Sequence, residues 1–440
     1  MSGFAPLYVP ADLRESVSGR AWLGAMLAAE SALARAGSIV GVVPPPAATA
    51  IAAACASDGY DWNELLQAGQ RVGAPVEPLV RALVDRVGEE YGRWVHFGAT
   101  TQDVMDTAAM LVTRGALALV LGELDRVTAA CADLARLHRD TPMAGRTLLQ
   151  QAVPTTFGLK AAGWLVAVLE ARARLRHLRE DALAAQLGGA VGTLAAMGEH
   201  GPEIARVYAQ ELDLSEPTVP WHTNRVRIAE LGAALQIAAG AVAKIGLDVL
   251  LLAQTEIAEV SEGGEGGGST AMPQKRNAVG AMRARASFEL VRGHASVLMG
   301  GLSQEHERAA GLWQAEWEAL SGALQYSGGA AAALAGSLEG LEVDQARMRA
   351  NLDLTGGQIA AERIAVVLTE RLGRTRARTL VSDAALRARE TGRPFAEELA
   401  AVDTGLTAEE ISEALEPTTY LGSAGVLVDR ALVRYHEESE

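Results

Sequence analysis

Apolar positions recur along this chain at steps of three and four, most openly in Ile228, Leu231, Leu235, Ala238, Val242, Ile245, Val249 and Leu252. That spacing keeps one helix face apolar and predicts a helix of at least ~25 residues, roughly 37 Å at 1.5 Å rise per residue. Such a length outruns the core of one small domain and calls for a bundle, whether within the chain or shared between subunits. Proline marks where other long helices can run, because it breaks helix interiors. None lies between Pro78 and Pro142, Pro154 and Pro202, Pro220 and Pro273, or Pro273 and Pro394. Residues 101–140, 155–187 and 279–325 accordingly read as long helices rich in Ala and Leu. Strand signals are nearly absent, and the fold class is all-α. The pattern divides the chain into an N-terminal helical region (1–95), a central long-helix bundle (96–353) and a C-terminal helical region (354–440).

Composition sharpens this picture. Of 440 residues, 49% are hydrophobic and 21% charged, which excludes a wholly disordered chain. Aromatics are only 4%, and Ala runs favour helix over strand. A net charge of −15 argues against a nucleic-acid backbone or an anionic membrane as partner. An anionic substrate stays possible, because one basic pocket fits inside an acidic molecule. Two cysteines, Cys55 and Cys131, make neither a disulfide framework nor a four-ligand zinc site, and they read as buried small hydrophobes. The eight histidines show no His-x-x-x-His pair, so no metal is expected. Residues 1–9 lack the basic and apolar regions of a secretory leader. The apolar stretch 233–253 is interrupted by Gln236, Lys244 and Asp248, a poor membrane span. A cytoplasmic protein is the expectation.

Five segments concentrate polar chemistry. The loop 262–277 packs five glycines ahead of Ser269, Thr270, Pro273, Lys275, Arg276 and Asn277, just before a helix. Glycines let backbone approach a ligand closely, and cations at a helix start suit a carboxylate or phosphate. As a bare pattern it is equally a mobile linker; it has neither the P-loop order nor a Gly-x-Ser-x-Gly elbow. The segments 96–107, opening His96-Phe97-Gly98-Ala99-Thr100-Thr101-Gln102-Asp103, and 145–156, opening Gly145-Arg146-Thr147-Leu148-Leu149-Gln150, read in isolation as a helix cap and as a polar turn before a helix. Trp221-His222-Thr223-Asn224-Arg225-Val226-Arg227 opens the seam helix with arginines that run against its dipole and need a reason. Gln304-Glu305-His306-Glu307-Arg308 punctuates an otherwise apolar helix.

Together these segments resemble a known family. Gly268-Ser269-Thr270-Ala271-Met272-Pro273-Gln274-Lys275-Arg276-Asn277 is similar to the Gly-Ser-Ser-x-Met-Pro-x-Lys-x-Asn signature of the fumarase/aspartase superfamily. His96-x-Gly-x-Thr-Thr-x-Asp and Gly145-Arg146-Thr147 with Gln150 resemble its first and second blocks, in the family order and over nearly the whole chain. Within the superfamily, Trp221-His222-Thr223, residues 304–311 and Met348-Arg349-Ala350-Asn351-Leu352 look most like the 3-carboxy-cis,cis-muconate cycloisomerases.

The resemblance implies a homotetramer with a twenty-helix core and active sites built from three subunits. It implies a base that removes the proton next to a carboxylate, giving an aci-carboxylate carbanion from which the β-substituent leaves. Ser269 takes the base role on that resemblance, activated by loop amides and Lys275. Lys275 and Asn277 would hold a substrate carboxylate. His96, Thr100, Thr101, Thr147 and Gln150 follow as further contacts, with Arg225 and Arg308 in the same anionic pocket. The substrate would be a small di- or tricarboxylate, and no cofactor is required. Leu148 stands where many members carry a histidine acid, and leucine cannot protonate a leaving group. That argues against adenylosuccinate lyase, fumarase and argininosuccinate lyase. A carboxylate displaced from a muconolactone, or nitrite leaving nitrosuccinate, needs no such acid. Two enzymatic readings stand on this: a cycloisomerase of protocatechuate catabolism, and a fumarate-releasing lyase on a substituted succinate. A catalytically silent structural relative is a third, opposed by the retention of Ser269, Lys275 and Asn277. Thr270, Ala278 and Val226 also depart from the usual pattern.

Overall fold

A computed structural model describes residues 3–56, 58–263, 267–268 and 271–438. In chain order, the elements that position the site are α1 (Gly19–Ile39), α2 (Thr101–Leu137), β1 (Pro142–Thr147), β2 (Gln150–Thr156) and α3 (Phe157–His177). They continue with α4 (Val226–Leu252), β3 (Val260–Glu262), α5 (Val279–Gly300), α6 (Leu312–Glu339) and β4 (Leu341–Val343). Helix dominates, as the Ala-rich sequence requires.

The seam on α4 is real. All eight of its positions are at most 4% exposed. Its partners therefore lie within the chain itself, and the stripe left open is a different one: Val226, Ile237 and Leu247 at 60%, 48% and 36% exposed. Positions 226, 237 and 247 are about three turns apart and share a face. On α5, Met282, Leu290 and Val297 are exposed in the same way. By length and composition α2 and α4 would suffice to cross a bilayer, and 72% and 50% of their most apolar stretches are buried in the chain.

Three sequence expectations change. The 279–325 stretch is two helices, α5 and α6, so Gln304–Arg308 belongs to the irregular connection between them rather than to a helix. The helix expected over 155–187 ends at His177 and closes in a single π-helical turn, Leu178–Ala182. The polar turn at 145–156 is a β-hairpin, β1 pairing antiparallel with β2 from Pro142↔Thr156 to Thr147↔Gln150. Its two-residue connection is Leu148-Leu149, both left-handed at φ 50° and 64°. Hairpin turns of that type are signalled by Asn-Gly or Asp-Gly, and two leucines hid it.

Contacts divide the chain into two units. The first comprises residues 1–125, 170–244 and 283–334, and the second 126–169, 245–282 and 335–440; α2 to α6 each contribute residues to both. In the first unit α1, capped by Ser18 accepting from the Ala21 amide, packs on the helices Pro45–Ala56 and Gly201–Glu211. In the second, β1 packs on the helix Gln345–Leu352, and β3 pairs antiparallel with β4. Four helices between Ala361 and Leu415 enclose a core of Ile364, Leu368, Val381, Phe395, Leu399 and Ile411.

Candidate active site

The candidate residues separate by unit. His96, Thr100, Thr101, Arg225 and Arg308 belong to the first; Thr147, Gln150, Lys275 and Asn277 belong to the second. Ser269 and Thr270 lie outside the described residues.

In the first unit Asp103, 1% exposed, organises the start of α2. It accepts from the Thr100 amide (3.0 Å), Gln186 Nε2 (3.1 Å), the Gly188 amide (3.1 Å) and the Gly189 amide (2.9 Å). The helix cap foreseen for it therefore exists, and the same carboxylate also pins the irregular segment 186–189. Burial pushes the Asp103 carboxyl up, and those donors together with Arg308 pull against it. Gly189 sits at φ 68°, where a Cβ would lie 2.9 Å from the Gly98 carbonyl, so glycine is required for the close approach. Arg308 donates to Gln102 Oε1 (3.3 Å) and to the Gly189 carbonyl, and Gln102 donates to the His222 carbonyl (2.7 Å). Burial, and then Arg308, lower the His222 imidazole below its usual value. His96 is held at Nδ1 by Glu30 Oε1 at 2.6 Å, with its backbone left-handed at φ 58°.

Arg225 has a different setting from the one the sequence suggested. Its side chain is 1% exposed, and it donates through Nη1 and Nη2 to Asp106 (2.7 and 3.0 Å) and through Nε and Nη2 to Glu316. Trp313 Nε1 (2.9 Å) completes the Asp106 shell, and Gln304 Nε2 (2.9 Å) reaches Glu316. Its charge is already spent inside the protein. Arg227 donates to the Ala182 carbonyl. That is why two arginines sit at a helix start: each answers a tertiary acceptor that outweighs the dipole.

In the second unit the hairpin is anchored by Arg146, which makes two bonds to the fully buried Glu259 (2.9 and 2.6 Å). Asn351 Nδ2 adds bonds to Glu259 Oε1 and the Ile257 carbonyl, both 2.8 Å, and Gln151 Nε2 reaches the Asn351 carbonyl at 2.8 Å. Thr147, Leu148, Leu149 and Gln150 form the exposed tip, Leu148 at 96% and Leu149 at 77%.

Lys275 and Asn277 line a cavity of about 1060 Å³ with Gln254, Thr255, Ser261 and Asp344. Asn277 closes the glycine loop, its backbone N–H and its Nδ2 both donating to the Gly267 carbonyl at 2.8 and 3.0 Å. Gly267 has φ 82°, and a Cβ there would stand 2.3 Å from the Asn277 carbonyl. The start of α5, suited in principle to a substrate anion, is already occupied. The Gly280 and Ala281 amides donate to the Glu262 carboxylate at 3.0 and 2.8 Å. The cations lining this cavity are Lys275 and Arg276. Among the described residues no three His, Cys, Asp or Glu side chains are grouped to hold a metal ion.

Comparison with known proteins bears on the family. A family model described as Lyase matches residues 9–300, and one described as Adenylosuccinate lyase C-terminus matches residues 357–431. The nitrosuccinate lyase of Streptomyces davaonensis is 47% identical, covering 97% of this chain and 94% of its own length. The chain belongs to the fumarase/aspartase superfamily. Two further relatives bear on the fold. The 3-carboxy-cis,cis-muconate cycloisomerase of Bradyrhizobium diazoefficiens is 44% identical, covering 97% of both chains. The crystal structure of the 3-carboxy-cis,cis-muconate lactonizing enzyme from Pseudomonas putida superposes with a TM-score of 0.93 at 41% identity, covering 100% of both. The C-terminal match to the adenylosuccinate lyase model spans none of the candidate superfamily residues, so it does not oppose what Leu148 implies.

Sequence reading missed the supporting carboxylates. Glu30, Asp106, Glu259 and Glu316 are all nearly fully buried. A signal for Glu30 was present: it is a lone charge in the apolar run Leu27-Ala28-Ala29-Glu30-Ser31-Ala32-Leu33. Buried charges almost always have partners, and such a residue marks a polar junction.

Proposed function

We propose that this chain is a 3-carboxy-cis,cis-muconate cycloisomerase, acting in protocatechuate catabolism as a homotetramer whose active sites are shared between subunits. In the cyclising direction a substrate carboxylate oxygen forms a C–O bond to the alkene carbon β to another carboxylate. The π pair moves into that carboxylate as the aci form, and a proton delivered from Ser269 to the carbanionic carbon completes the anti addition. Reopening reverses each step, with Ser269 as base. Lys275 faces the substrate carboxylate, Asn277 holds the glycine loop, and His96, Thr100, Thr101, Thr147 and Gln150 supply further polar contacts. Arg308 orders the first unit's loop through Gln102 and Gly189, and Arg225 is a positioning residue rather than a contact. Metal and organic cofactors have no step to perform.

One observation carries this reading: the hairpin tip presents Leu148 and Leu149, with no titratable group there to protonate a leaving atom. Chemistry whose leaving group is already a weak base fits that tip. The same observation, with the 47% identity to a nitrosuccinate lyase, supports a second reading equally well. In it Ser269 removes the proton next to one carboxylate of nitrosuccinate, the C–N bond breaks, and fumarate and nitrite form. Exposed apolar stripes on α4 and α5 support the oligomer, since stripes of that kind mark protein contacts.

The experiment is an ultraviolet assay of the purified protein with 3-carboxy-cis,cis-muconate, following loss of the conjugated diene, beside nitrosuccinate with fumarate and nitrite read out. Fast diene loss that vanishes in Ser269→Ala, with the oligomer retained, supports the cycloisomerase. Fumarate release without diene loss replaces it by the lyase. Near-normal turnover in Ser269→Ala removes the base assignment under either.

A further inference from the structure

Glu30 is 1% exposed in the middle of α1, yet among the described residues only one of its oxygens has a hydrogen-bond partner. Oε1 lies 2.6 Å from His96 Nδ1, and Oε2 is buried without a partner. One neutral hydrogen bond does not offset burial of an ionised carboxylate, whereas an adjacent cation does. A nitrogen–oxygen separation of 2.6 Å is also at the short, charge-assisted end of the range. On the other side of the ring, His96 Nε2 has no hydrogen-bond partner among the described residues, and the side chain keeps 18% exposure. The ring is carried on a left-handed backbone four residues ahead of Thr100, so its direction is fixed by the turn as well as by Glu30.

We propose that Glu30 is a positioning residue for the reaction: it grips Nδ1 of His96 so that the ring, as an imidazolium, presents Nε2–H as a cationic donor to a substrate carboxylate. This rests on the reading of His96 as a substrate contact. It gives the first unit a cation beside Arg308, where Arg225 is consumed by Asp106 and Glu316.

The surrounding charges agree. Burial works against a charged His96, but Glu30 from α1 and Asp103 from the start of α2 outweigh it and raise the imidazole above its usual value. Tyr208, on the helix Gly201–Glu211, also stands within reach of Glu30 and is kept neutral by burial, as is Cys55 on the helix Pro45–Ala56. Arg35, just over one turn along α1, is paired with Glu211 at 2.6 Å. Arg308 acts on Asp103 rather than on His96.

The test uses the full chain as wild type, Glu30→Gln, Glu30→Asp and His96→Gln. Diethyl pyrocarbonate modifies neutral imidazole, so the pH dependence of His96 modification, located by peptide mass spectrometry, reads its protonation without turnover. In Glu30→Gln the midpoint falls by at least about one pH unit, so that modification near pH 7 runs on the order of tenfold faster. KM for 3-carboxy-cis,cis-muconate rises by a similar factor while kcat moves less than about threefold, and Glu30→Asp restores the midpoint. An unchanged midpoint in Glu30→Gln overturns the proposal. So does a wild-type KM in His96→Gln, which would show that the imidazole touches no substrate. Should the wild type fail to consume the muconate, the cycloisomerase reading is lost, while the modification midpoints still decide whether Glu30 holds the charge.

Discussion

Replacing Arg225 by Gln separates a structural cation from a substrate cation. Its side chain is 1% exposed, and those of Asp106 and Glu316 are 3% and 4% exposed. Removing the guanidinium deletes four donor contacts and leaves two buried carboxylates facing each other. Among the described residues Asp106 keeps Gln102 and Trp313, and Glu316 keeps Gln304. Breaking a buried ion pair from one side costs about 3–5 kcal/mol, because the stranded charge has lost both water and partner. At about 2.1 cal/mol/K of unfolding entropy per residue, a chain of this length converts that into a Tm loss of about 3–5 °C. The loss also has a pH signature. Burial already raises the Glu316 carboxyl, Arg225 opposes that rise, and Asp106 reinforces it. Without Arg225 the folded-state value climbs further above the unfolded one, and a carboxylate raised in this way destabilises the fold as pH increases. The gap between Arg225→Gln and wild type therefore narrows as pH falls from 8 toward 5.5. Differential scanning calorimetry at matched protein concentration and scan rate, over that pH range, provides the measurement. A stability loss below about 1 kcal/mol, together with a KM raised a hundredfold, would refute the structural assignment and return Arg225 to the substrate.

Three further outcomes follow from the geometry. Gly267→Ala puts a Cβ 2.3 Å from the Asn277 carbonyl at φ 82°, so turnover falls at least about tenfold while circular dichroism and Tm stay near wild type. Ile237→Glu with Leu247→Glu charges the open stripe of α4, so light scattering reports a smaller species and activity falls with it; an unchanged mass would remove that stripe from the subunit interface. The Glu30–His96 pair raises a histidine above its unfolded value of about 6.5, so its stabilisation is complete below that pH and is lost as pH rises through the folded value. Equilibrium unfolding of wild type and Glu30→Gln should accordingly differ most below about pH 6.5 and converge at alkaline pH.

What the sequence disclosed and what it concealed have a common physical root. The α4 seam was legible because a helix repeats its environment every 3.6 residues, and eight buried positions confirm that repeat. The start of α2 was legible because caps are local, Asp103 reaching back three residues to the Thr100 amide. The β1–β2 hairpin was not, because its turn uses Leu148-Leu149 in a conformation that leucine does not advertise. Nor were the partners of Arg225, which come from positions 106 and 316, far apart in the chain. A polar residue in a sequence declares that it can carry charge, and only the fold reveals whether that charge is free. Arg225 and Arg146 look like anion-binding groups and are neutralised by Asp106, Glu316 and Glu259; Glu30 looks like an interruption in an apolar helix and faces His96. The cations left for an anionic substrate are therefore fewer than the sequence suggests. Lys275 in the second unit makes no ion pair among the described residues, Arg308 in the first donates to the neutral Gln102 and Gly189, and His96 is the further cation we propose, held by a carboxylate 66 residues away. An active site short of cations binds a polycarboxylate only by placing each of them well, which makes the groups behind the contacts as decisive for turnover as the contacts themselves.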